Sequence, residues 1–197
     1  MKLINYYVMR KSELVFFEIL KGAKTQKGIA QKLGISLSTV NNAIEPLARI
    51  GALEKINFGL KIIDREKILA YWASTRNLAK DIVYQTRTIF GAKEIEKHMP
   101  SGIVFTAFTA FKLKFKEIPA DYSEVYVYAS DDELGEIKKR FPQKEGPANI
   151  IVLLMPKSIN EEKIVPNELM FVDLWNLKEW YAKEFLNALK QKMGVAP

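Results

Sequence analysis

The chain of 197 residues contains no cysteine and a single histidine. Without thiols it has no disulfides, no thiol nucleophile and no cysteine-ligated metal. His98 alone cannot build a metal site, no nucleophile is identifiable beside it, and its place before Pro100 reads as a structural helix end. Long apolar runs are also missing: none approaches the roughly 18 residues that a membrane-spanning helix needs. Residues 1–10 are too short and too polar for a signal peptide, so a cytoplasmic protein without a membrane partner is expected. No charged, Pro-rich or Ser-rich linker divides the chain, so its parts are expected to pack firmly.

What is present suffices for a folded core. Hydrophobic residues make up 48% of the chain, too many for disorder, and the length allows one large domain or two small ones. The net charge of +7 is unevenly spread. Residues 1–64 hold 10 Lys and Arg against 5 Asp and Glu, whereas residues 65–197 hold 20 against 18. The basic excess therefore sits on the first third, as expected of a surface that meets phosphates.

That third carries the most informative segment, residues 25–53. Ser12 opens a helix that runs to about Gly22, and Thr25 can cap a second in which Ile29, Ala30 and Leu33 face inward. Gly34 supplies a left-handed turn. Ser36 is a natural N-cap for a third helix, whose Leu37, Val40, Ile44 and Leu47 fall at core spacing. Ser38, Asn41, Asn42, Glu45 and Arg49 take the other side, with Thr39 on the flank. Helix, glycine turn and polar-faced helix form the helix-turn-helix pattern, whose partner is double-stranded DNA. Hydroxyls of Ser36, Ser38 and Thr39 at a helix start suit phosphate oxygens. Asn41 and Asn42 have the amides that pair with adenine in the major groove, and the sequence does not choose between them. Pro46 deprives Asn42 of a helical hydrogen bond, so a kink or a displaced last turn is expected, the kink being favoured because Leu47 and Ile50 continue the apolar pattern.

Two strand-like runs, 53–57 and 60–63, meet at Phe58-Gly59 and predict a hairpin, the wing of a winged helix, from which Lys55 and Lys61 can reach the backbone of DNA. Asp64 then caps a helix to about Trp72, and a further helix is expected over 77–87. Beyond it the pattern alternates. Helices are expected over 92–98, 131–141 and 177–193, and strands over 124–129, 150–155 and 169–172. Residues 102–115 are ambiguous, with Phe105, Phe108 and Phe111 favouring a helix. The fold class is α+β: a winged helix-turn-helix domain over 1–90, then a small α/β domain over 91–197 resembling a degenerate nucleotidyltransferase.

Nucleotidyl transfer needs a Gly-Ser turn and two carboxylates one residue apart on a strand to hold magnesium. The chain offers Ser101-Gly102 in reversed order, and Glu124-Val125-Tyr126 with tyrosine in the second position. Asp131 and Asp132 follow that strand as cap residues. Asp173, near Trp175 and Trp180, can line a pocket or cap the following turn, the cap being favoured. No catalytic residue, cofactor or metal is expected.

With these segments, the chain resembles archaeal winged-helix proteins related to the AbiEi antitoxins of abortive-infection systems. The resemblance rests on residues 25–53, on Trp72-Ala-Ser-Thr-Arg-Asn-Leu78 and on Leu169-Met-Phe-Val-Asp-Leu-Trp-Asn-Leu177. It implies promoter binding and a possible toxin-like protein partner. The expected function is that of a sequence-specific DNA-binding transcriptional regulator, as a homodimer because one short helix reads few base pairs. Its alternatives are a nucleotidyltransferase acting on RNA or protein, and a winged-helix protein-interaction module.

Overall fold

A computed structural model describes residues 9–156 and 163–195. Residues 1–8, which hold most of the segment read against a signal peptide, lie outside the described residues. The class is α+β. Among the described residues no helix is long and apolar enough to cross a membrane.

Three helices open the fold: α1 (Lys11–Leu20), α2 (Gln26–Leu33) and α3 (Leu37–Arg49). Their ends are set by local chemistry. Thr25 Oγ1 accepts from the backbone N–H of Gly28 at 3.0 Å, and Ser36 Oγ accepts from that of Thr39 at 3.1 Å, each satisfying an orphan donor of a first turn. Between them Gly34 sits at φ +62°, and the Ile35 N–H closes back onto the Ala30 carbonyl at 3.1 Å. Ile29, Val40, Ile44 and Leu47 are fully buried. Leu37 departs from the expected core stripe: in the first turn of α3 it is 53% exposed. The helix continues through Pro46 to Arg49, and the Ile50 N–H donates to the Pro46 carbonyl at 3.1 Å. Burial of Ile44 and Leu47 on either side holds the helical path against the bond that proline removes.

Strands β1 (Leu53–Ile56) and β2 (Gly59–Ile62) pair antiparallel, with Lys55 opposite Leu60 and Glu54 opposite Lys61. Helix α4 (Arg65–Thr75) follows, capped by Asp64, whose carboxylate accepts from Lys67 N–H at 2.9 Å. The helix expected over 77–87 is replaced by a single 3-10 turn, Leu78–Asp81, and by β3 (Ile82–Thr86). Pairing with a distant strand overrides the local preference there.

The remaining elements are α5 (Ala92–His98), β4 (Val104–Phe105), α6 (Ala107–Phe115), β5 (Val125–Ala129), α7 (Asp131–Arg140), β6 (Ile150–Leu154), α8 (Asn167–Trp175) and α9 (Ala182–Met193). The four later strands form one mixed sheet in the order β3-β6-β5-β4. β5 and β6 run parallel, joined by α7 as a crossover, while β3 and β4 are antiparallel edges. The sheet thus takes its first strand from residues before 90. The ambiguous stretch 102–115 divides into β4 and α6. The strand expected over 169–172 is part of α8: Leu169 to Leu174 are all buried, and the apolar run 169–172 of a helix buried on every side reads in sequence like a buried strand. The last helix begins at Ala182 rather than 177.

One hydrophobic core runs through the described residues. Helices α4 and α8 pack together, and polar contacts tie their ends: Arg65 to Glu168 at 2.5 Å, and Asn176 Nδ2 to the Ala73 carbonyl at 3.1 Å.

Candidate nucleic-acid interface

The polar residues singled out on α3 gather on its exposed side. Ser36 Oγ lies 2.9 Å from Ser38 Oγ and 2.8 Å from Thr39 Oγ1, a knot of three hydroxyls at the helix start. Asn42 is exposed one turn further on, and Asn41 is half-buried. Arg49 is exposed in the last turn and makes no ion pair among the described residues.

The hairpin lies across this helix. Lys55 Nζ donates to Asn41 Oδ1 at 2.9 Å and to Glu45 Oε2 at 3.0 Å, linking β1 to two successive turns of α3. The two hairpin lysines are not equivalent. Opposed residues of an antiparallel pair share a face and successive residues alternate, so Lys61 lies with Glu54 on the face away from Lys55. Lys61 is exposed and does not join Asn41.

The hairpin is anchored at its turn. The Leu60 N–H donates to the Lys24 carbonyl at 2.7 Å, and Gly59 has φ +151°. A Cβ there would stand 2.1 Å from that carbonyl oxygen, so only glycine permits the approach. Phe58 beside it is 92% exposed at the tip. The turn was legible as Phe58-Gly59; its docking onto the loop before α2, and the role of Glu45 as a Lys55 partner, had no local signal.

A second polar cluster is buried where α1 and α4 meet the sheet. The Arg76 guanidinium reaches Glu13 at 2.8 Å, Asp81 at 2.8 Å, Asp173 at 3.4 Å and the Tyr128 hydroxyl at 2.8 Å. Asp173 also accepts from Thr106 Oγ1 at 2.7 Å and from Tyr128. Asp173 is thus neither a turn cap nor part of a pocket with Trp175 and Trp180, which are exposed. Burial disfavours the charge on Arg76, but Tyr128, Asp173, Glu13 and Asp81 outweigh it and raise its pKa. Burial pushes the Asp81 carboxyl up to about 6 against the pull of Arg76. Burial likewise raises Asp173, opposed by Arg76 and the hydrogen bonds from Thr106 and Tyr128. The adjoining cavity, about 40 Å³ and lined by Arg10, Glu13, Arg76 and Asp81 among others, has room only for water.

In the sheet, β5, which follows Glu124, carries Tyr126 and Tyr128, and their hydroxyls donate to Glu179 and Asp173. Among the described residues no three His, Cys, Asp or Glu side chains are grouped to hold a metal ion. His98 Nδ1 donates to the Glu94 carbonyl at 2.8 Å and its ring stacks on Phe90. No protein-family model, no curated protein and no solved structure matches the chain.

Proposed function

We propose that the protein is a sequence-specific double-stranded DNA-binding regulator whose first part is a winged helix-turn-helix. The order of three helices and an antiparallel hairpin supports this reading, with α2, Gly34 and α3 as the helix-turn-helix and β1–β2 as the wing. The observation that carries it is the exposed face of α3. Hydroxyls at Ser36, Ser38 and Thr39 cluster at the helix start, where phosphate oxygens are best received, and Asn41 and Asn42, with amides suited to base edges, follow within a turn. Arg49 and Lys61, both exposed, supply backbone charge.

For the second part we infer a scaffold role, in which a nucleotidyltransferase-like layer holds the reading unit without chemistry of its own. In support, the strand β5 carries Tyr126 two residues after Glu124 rather than a second carboxylate, and Asp173 is engaged by Arg76, Thr106 and Tyr128.

A mobility-shift titration tests the reading with duplex and single-stranded DNA of one sequence pool. Binding of duplex that weakens about 10³-fold or more between 50 and 200 mM salt is expected if six or more phosphates are contacted. No duplex binding at low salt overturns the reading.

A further inference from the structure

Lys55 does more than add charge to the wing. An ammonium has three donors and no acceptor, so the Asn41 atom that faces it at 2.9 Å is the carbonyl oxygen, and the amide cannot turn over while Lys55 stays in place. An unrestrained asparagine reads adenine with both ends of its amide, accepting from N6 and donating to N7. With Oδ1 partly engaged by Lys55, the two N–H donors are the wholly unengaged end of the Asn41 amide. Guanine, with acceptors at both N7 and O6, is the base edge that suits an amide whose donors are its freer end.

Glu45 is the complementary half. It lies one helical turn beyond Asn41 on the same face, and Lys55 holds its Oε2 at 3.0 Å, leaving Oε1 as a free acceptor. A carboxylate on a face that meets phosphates is repelled unless its charge is offset, and Lys55 offsets it. The base edge that rewards an acceptor is cytosine, through its N4 amino group.

We infer that Asn41, Lys55 and Glu45 form one reading unit in which Lys55 makes Asn41 a donor and Glu45 an acceptor, so that the unit selects G·C base pairs. This rests on the proposed binding of duplex DNA by the α3 face. Within that reading it assigns Lys55 a positioning role and makes Glu45, an acidic residue, a specificity determinant.

The test is enrichment from a randomised duplex library by the full chain, carried out with the wild type, Lys55→Met and Glu45→Gln. The wild type should enrich a motif with guanine and cytosine at neighbouring positions. Lys55→Met should move the guanine position toward adenine, and Glu45→Gln should lower discrimination at the cytosine position about tenfold. A Lys55→Met motif identical to the wild type at every position, or a wild-type motif of A·T pairs alone, overturns the inference while leaving DNA binding intact. Enrichment of no sequence by the wild type overturns the DNA-binding reading and the inference with it.

Discussion

The guanidinium of Arg76 meets the carboxylate of Asp173 at 3.4 Å, with both side chains almost wholly out of water. Arg76 ends α4, which follows the hairpin, and Asp173 lies in α8 of the second part. The pair, with Glu13 and Tyr128 around it, links α4 to α8, β5 and α1 through one buried cation.

Removing that cation leaves carboxylates in the interior without compensation. Arg76→Met should lower stability by about 3–5 kcal/mol, read as a shift of the urea midpoint at pH 7. A loss below about 1 kcal/mol would mean that water reaches the cluster and screens it.

Asp81 makes part of this stability depend on pH. Its carboxyl is raised to about 6 in the folded protein, so between its unfolded value near 4 and pH 6 the native state binds the extra proton. Stability from this group therefore rises as pH falls through 6 and is lost as pH rises. Discounted for partial access to water, the wild type should gain about 1 kcal/mol relative to Asp81→Asn between pH 7 and pH 5. Parallel urea titrations of both proteins at the two pH values measure it, and a gain of the opposite sign would refute the assignment.

Gly59 holds the hairpin against the loop before α2. Gly59→Ala puts a methyl group into the Lys24 carbonyl and should cost about 1–3 kcal/mol. Amide exchange should show it at Leu60, whose N–H loses protection, before the core strands respond.

On the proposed DNA face, residues differ in kind. Asn42→Ala should weaken binding to the preferred site by about 1–3 kcal/mol with little effect on other sequences. Lys61→Ala should weaken all sequences about equally and reduce the salt slope by about 1. Anisotropy titrations with preferred and scrambled duplexes at several salt concentrations separate the two.

What the sequence made legible was local. Thr25, Gly34 and Ser36 mark helix ends through bonds to their own neighbours, so α2 and α3 could be placed, and so could the hairpin from Phe58-Gly59. The apolar run at 150–155 revealed β6. β3 was missed because Ile82 to Tyr84 are only half-buried and the segment becomes a strand by pairing with β6. α8 was missed because burial on all sides erases the helical period. In the candidate site, the hydroxyl cluster and both asparagines follow from helical spacing. The link from Lys55 to Glu45 does not, since it depends on how the hairpin lies across α3.

In the proposed function, α3 and the hairpin together meet duplex DNA. Backbone amide shift mapping of the labelled protein, titrated with a duplex from the enriched pool, tests it most directly. Perturbations are expected to concentrate at residues 36–42 and 55–61, with the sheet and α5 to α9 little changed. Perturbations confined to the second part, or none at saturating duplex, would contradict it.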